Sequence, residues 1–283
     1  MSRKIIFYTG EDLSDWRYST AANGQITLFE YTGNYSKTIK VPSNGDKYVV
    51  NTYTSGTTPS TANTPFYNNP SVVSVDLRNA PFVSNNMYST FSNCRNLITA
   101  DNCFKGCTNL TNAWECFWGC TNLTSAAYCF DGCSNLLELR VFEDAGVFYN
   151  CTNLVNAFSC FNGCTKLYNA TECFKECINL VDATNCFTNC TTLQNVAYSF
   201  QGCTNLNSPI QIPSAVRVMT GTFMGCTNLY SDITILSAEV QDAGSCFSRD
   251  SYTQTTNVYI PFNYTGTTTR TNTFNSFVTA GYI

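Results

Sequence analysis

Apolar side chains along this chain recur with a step of thirteen, not with the period of a long helix or of simple strand alternation. Phe91, Phe104, Phe117 and Phe130 keep that step, as do Phe148, Phe161, Phe174, Phe187 and Phe200, and a leucine follows each phenylalanine six residues later. The unit reads Cys-Phe-x-Gly-Cys-Thr-Asn-Leu-x-x-Ala-x-x, as in residues 103–115 and again in 116–128. An 18-residue step from Phe130 to Phe148 holds an insertion around Leu139-Arg140-Val141-Phe142-Glu143, and steps of 23 and 24 lead on to Phe223 and Phe247. Eleven units therefore follow one another.

Within a unit the two cysteines and the leucine stand at i, i+4 and i+7, as in Cys103, Cys107 and Leu110, which predicts the inward face of a short helical turn. Gly106 and the Thr108-Asn109 pair end that turn. The chain then runs extended and returns Ala113 to the inside. The predicted core includes Phe104, Phe117, Leu110 and Leu123, with Cys107, Cys120, Cys164, Cys177 and Cys190. About seven helical residues span roughly 11 Å and four extended ones roughly 13 Å, so one thirteen-residue unit is long enough to close a flat coil and stack on the next. The longer units add a second extended side.

The expected fold class is thus a repeat solenoid with short parallel strands and short helical turns over residues 71–250. Residues 1–70 read as a β-rich N-terminal cap or docking module with a Thr/Ser/Pro/Asn-rich loop at 55–69. The alternation in Val72-Val73-Ser74-Val75-Asp76-Leu77 marks a first solenoid strand. Residues 251–283 read as a C-terminal cap, with a strand at 258–262 and an amphipathic helix at 271–282 that puts Phe274, Phe277 and Val278 on one face. Caps of this kind cover the strand edges and core that an open coil exposes.

The run Ser199-Phe200-Gln201-Gly202-Cys203-Thr204-Asn205-Leu206, followed by Ile210-Gln211-Ile212-Pro213 and Val216-Arg217-Val218, resembles the BspA-type leucine-rich repeats of bacterial surface proteins. Ile26-Thr27-Leu28, Tyr31-Thr32-Gly33 and Ile39-Lys40-Val41-Pro42 are similar to the β-rich lead-in that precedes such arrays, so the resemblance extends over roughly residues 25 to 262. It implies a right-handed leucine-rich-repeat solenoid used for attachment to proteins or glycans. The thirteen-residue period departs from the family's usual length of about 23.

Composition narrows the function further. Charged residues are 12% of the chain and the net charge is −4 without a basic block, which argues against a nucleic-acid groove because counterion release needs clustered Lys and Arg. The apolar run at the N-terminus stops at Thr9-Gly10-Glu11-Asp12, and no run of about 18 apolar residues occurs elsewhere. Neither a secretory signal nor membrane insertion is expected. Seventeen cysteines, an odd number, in a large chain without an export signal read as small apolar core residues and not as a disulfide framework or a metal site. With no histidine in the chain, Ser-His-Asp, Cys-His and most zinc mechanisms are excluded. Glu115 and Glu172 share a unit position but are expected several coils apart, outside glycosidase spacing. No catalytic residue, metal or cofactor is therefore expected.

Variable outer positions are where binding is expected: Trp118 at the third position of its unit, and Trp114 and Phe158 at the twelfth, which with Tyr128 and Tyr198 beside them place aromatics on one exposed face suited to glycan stacking or protein contact. Taken together, these features point to a non-enzymatic structural or receptor-binding protein of a bacteriophage particle, a tail fibre, baseplate or head fibre, assembled in the bacterial cytoplasm. Its partners would be other virion proteins in an oligomeric assembly and a host surface protein or glycan. The alternative is a bacterial cell-surface adhesin.

Overall fold

The computed structural model describes residues 4–8, 14, 16–20, 22, 26–31, 40–42, 48–50, 66–70, 72–75, 86–139, 146–247, 256–260 and 278–282. Among them there is no helix. The stretch predicted as a helical turn is instead a chain of β-turns. In residues 100–110 the amides of Cys103, Lys105, Cys107 and Leu110 donate to the carbonyls three residues back, at 2.9–3.1 Å. The alternate amides of Ala100, Asn102, Phe104 and Gly106 donate to the carbonyls of Ser125, Ala127, Cys129 and Asp131, at 2.7–2.8 Å. A helix would use every amide internally; here half of them tie one unit to another.

The turns also need backbone that no helix contains. Asn102 and Gly106, the third residues of the turns at 100–103 and 104–107, have φ of 56° and 74°. This is the left-handed conformation that a type II turn places at its third residue. The glycine of the repeat exists to supply it. The i, i+4, i+7 spacing of Cys103, Cys107 and Leu110 still brings all three inside, because two successive turns repeat with the same step.

Register gives a second correction. Each unit bonds to the next but one: bridges run Asn86 to Asn112 to Glu138, and Thr99 to Ser125 to Asn156. One layer therefore takes two units, 26 residues, and a single unit closes only half a turn. Phe91, Phe117, Phe148, Phe174 and Phe200 define a first column of units; Phe104, Phe130, Phe161 and Phe187 define a second. The two half-turns share one core.

Beyond Phe200 the second half-turn is built differently. Strand β7 (Ile210–Ile212) takes the place of a Cys-Phe unit and pairs in parallel with β8 (Ile233–Ile235), which pairs with β9 (Thr256–Ile260) and then β10 (Val278–Tyr282). The steps of 23 and 24 residues are thus whole layers, as the bridges from Asn195 to Val218 and Val218 to Asp242 show. The longer units substitute one side of the layer; they do not widen it. Alternation inside β7, with Ile210 and Ile212 buried and Gln211 exposed, puts two isoleucines where a turn unit puts phenylalanine and cysteine. Residues 278–282 form a strand, not the expected helix, because Val278 and Thr279 extend the ladder on Thr256 and Asn257. Residues 271–277 and the 140–145 part of the insertion lie outside the described residues. At the other end, β1 (Lys4–Tyr8) lies between β4 (Lys40–Pro42) and β6 (Ser74–Val75), while β3 (Ile26–Tyr31) lies between β2 (Trp16–Thr20) and β5 (Tyr48–Val50).

Two phenylalanine stacks fill the core. Rings of the first column stack at 5.2–5.5 Å from Phe66 to Phe247. Those of the second column stack at 5.2–6.0 Å, and the columns meet in tilted or edge-on contacts at 5.7–6.3 Å. Such offset and edge-on pairs add to area burial. Between layers the fit leaves no slack at Gly146, where a β-carbon would run into the backbone carbonyl of Glu172. Gly146→Ala is expected to cost about 1–3 kcal/mol by overpacking, read as a lowered urea midpoint; an unchanged midpoint would refute so tight a layer contact.

Candidate functional site

All seventeen cysteines are free and buried, and their local contacts explain why cysteine is used. The second Cys of a unit donates its thiol to the phenylalanine carbonyl of the layer before: Cys120 to Phe91, Cys133 to Phe104, Cys164 to Phe130, Cys177 to Phe148 and Cys190 to Phe161, at 3.0–3.2 Å. A thiol fits because it is small and apolar yet carries a weak donor. At the first position Ser199 and Thr222 replace cysteine, and their hydroxyls likewise donate to buried carbonyls. Burial pushes the Cys94, Cys190 and Cys246 thiols up to about 12. Such groups stay protonated and make poor nucleophiles or metal ligands. Among the described residues no group of three His, Cys, Asp or Glu side chains is arranged to hold a metal ion.

The two carboxylates that share a unit position are closer than expected. Glu115 and Glu172 lie in the same column with only the Gly146 layer between them, so their backbones are roughly 10 Å apart at strand spacing. The 26-residue layer explains this, because it halves the number of layers between them. Each is engaged: Ser89 donates to Glu115 at 2.8 Å, and Lys175 pairs with Glu172 at 3.2 Å. Glu172 is only 5% exposed.

Trp114, Phe158, Tyr128 and Tyr198, expected on one face, are divided between the two columns, and they and Trp118 are all half-buried. Trp114 and Trp118 stand in the first column, where the Trp114 ring meets Tyr88 edge-on at 6.5 Å. Tyr198 belongs to the same column and packs over Gly221 of the next layer. Tyr128 and Phe158 stand in the second column, where their rings meet at 5.3 Å and Lys105 lies 4.7 Å above the Tyr128 ring. A period of thirteen treats these positions as one face, whereas a layer of 26 separates alternate units. Trp114, Tyr128, Phe158 and Tyr198 each meet a residue of a neighbouring layer.

Exposed apolar side chains stand one residue past the leucines in both columns, with Leu137 and Tyr168 at 40% and 42% in the second. Ile98, Val155 and Val181 are 49%, 44% and 42% exposed, and with Val73 and Thr124 they form one laddered edge. The amides of Ile98, Thr124, Val155 and Val181 each donate to the residue of this edge in the preceding layer, at 2.8–2.9 Å. Beside the apolar edge runs a row of amide side chains. Asn96 donates to the Pro70 carbonyl, Asn153 to Asn122, Asn179 to Thr152 and Asn153, Asn205 to Asn179, and Asn228 to Asn205, at 2.7–3.5 Å. Between the two rows, Pro70, Val73, Asn96, Ile98, Asn122, Thr124 and Asn153 line an open groove of about 600 Å³. Sequence reasoning passed over this edge, although reading every second unit aligns Ile98, Thr124, Val155 and Val181.

No family model, curated protein or solved structure matches this chain. The site must be read from its own geometry. Among the described residues no helix is long and apolar enough to cross a membrane.

Proposed function

We propose that the protein is a non-enzymatic structural or receptor-binding component of a bacteriophage particle, a tail fibre, baseplate or head fibre. In this reading the layered array is a right-handed leucine-rich-type solenoid that offers one edge to a host surface or a neighbouring subunit. The observation that carries it is the run of exposed apolar side chains, Ile98, Val155 and Val181, held in ladder register beside the amide row. Contiguous exposed apolar surface with a polar border marks an interaction site. The backbone hydrogen bonds donated by the thiols require reduced cysteine, which supports assembly in the reducing bacterial cytoplasm over export as an adhesin.

The expected result is that purified particles contain this chain by mass spectrometry and that the isolated chain attaches to cells of the infected bacterium. The triple variant Ile98→Glu, Val155→Glu, Val181→Glu should lose attachment or incorporation by at least about tenfold with an unchanged circular dichroism spectrum. Absence from particles would end the virion reading. A triple variant that attaches and assembles like the parent would remove the edge from the interaction.

A further inference from the structure

We infer that the first-column edge is a binding groove for an uncharged polysaccharide; this deepens the attachment reading and rests on it. Three features of the groove identify the ligand. The first is charge: Pro70, Val73, Asn96, Ile98, Asn122, Thr124 and Asn153 line it, and none of them ionises. An anionic glycan or nucleic acid would shed water there without gaining a cationic partner.

The second is the hydrogen-bonding capacity of the amide row. A primary amide has two donors and two acceptor lone pairs. The Asn153 amide donates to Asn122 and accepts from Asn179, and the Asn205 amide donates to Asn179 and accepts from Asn228, which leaves one donor and one lone pair on each of these two amides for a ligand. Sugar hydroxyls both donate and accept, so an amide with this remaining capacity matches a hydroxyl-bearing ring. Thr124 spends its hydroxyl on the Ile98 carbonyl at 2.9 Å and adds its methyl to the apolar wall. Ile98, Val155 and Val181 supply a surface for the C–H faces of pyranose rings.

The third is repetition. From Asn96 to Asn228 the row takes five layer steps, roughly 24 Å at about 4.8 Å each, and an extended pyranose chain advances by a comparable distance per ring. A peptide strand is the less suited occupant. Strand addition needs an open backbone edge, and the amides of Ile98, Thr124, Val155 and Val181 are already bonded within the array.

The test uses the full chain and isothermal titration with three uncharged polysaccharides, dextran, mannan and galactan, and two anionic ones, polygalacturonate and heparin. We expect binding to at least one uncharged polymer, unchanged between 0.05 and 0.5 M salt by about twofold or less because no ion pairs are screened. Ile98→Glu should abolish it, and Asn122→Ala with Asn153→Ala should weaken it at least tenfold. Asn135→Ala, which removes the corresponding amide of the second column, should leave it unchanged. No uncharged polymer bound, anionic polymers bound preferentially, or equal losses from Asn135→Ala would each overturn the inference. Attachment to cells that protease treatment of those cells abolishes, with no polysaccharide bound, would overturn the groove's ligand while leaving the attachment reading intact. Polysaccharide binding by a chain absent from particles would do the reverse.

Discussion

Raising the pH from 8 to 10 under reducing conditions should unfold the protein. Burial raises the thiols of Cys94, Cys116, Cys120, Cys129, Cys133, Cys151, Cys160, Cys164, Cys173, Cys177, Cys186, Cys190, Cys203 and Cys246 above their ordinary value. A group held protonated by the fold contributes stability that is complete below the unfolded pKa, about 8.5 for cysteine. That contribution is lost as pH rises toward the folded pKa. Above about pH 9 each such thiol releases its proton only on unfolding, which lowers stability by about 1.4 kcal/mol per pH unit. Fourteen of them together outweigh the roughly 5–15 kcal/mol that holds a typical domain. The urea midpoint, followed at pH 7, 8, 9 and 10, should therefore fall steeply above pH 8.5, and the fold should return on neutralisation. A midpoint that stays level up to pH 10 would mean the thiols are not sealed in the core as described.

The same sealing explains what could be read from the sequence and what could not. The thirteen-residue unit and its inward positions are visible because burial imposes a composition: Phe104, Phe117, Leu110, Leu123 and the cysteines at 107, 120, 164, 177 and 190 are all 0–1% exposed. Which unit lies upon which is set by backbone hydrogen bonds such as those from Phe104 to Cys129 and from Thr124 to Ile98, and these carry no side-chain signature. Thirteen residues of either arrangement present the same pattern. The helix expected around Cys103, Cys107 and Leu110 fails for a related reason: turns repeat with nearly the helical step, and only the positive φ at Asn102 and Gly106 separates them. The exposed edge was hidden because Ile98 and Val155 look like ordinary strand residues until alternate units are aligned.

The 26-residue layer also accounts for the change of unit length near the C-terminus. Between Val181 and Gln194 the second half-turn takes thirteen residues, whereas between Asn207 and Arg217 it takes ten; yet Asn207 still bonds to Val181 and Arg217 to Gln194. Extended backbone covers more distance per residue than consecutive turns do, so the strand Ile210–Ile212 crosses the same width with fewer residues. The first column continues without a break through Phe200, Phe223 and Phe247. One half of each layer is fixed and the other is exchangeable. This lets the amide row reach Asn228 past the point where the repeat changes length.

Phe148→Ala should be among the most damaging single substitutions in the array. Its ring stacks on Phe117 at 5.2 Å and on Phe174 at 5.4 Å, and it meets Phe130 and Phe161 of the other column at 6.1 and 6.3 Å. Truncation removes all four contacts and leaves a void between layers that the laddered backbone cannot close, at a cost of about 3–5 kcal/mol. Because each layer bonds chiefly to its neighbours, weakening one interface in the middle should also divide the cooperative unit, as nearest-neighbour coupling predicts for repeat arrays. Urea unfolding of Phe148→Ala should then separate into two transitions, and hydrogen exchange should lose protection first on either side of residue 148. A single transition at the parent midpoint would show that the phenylalanine stack does not couple the layers.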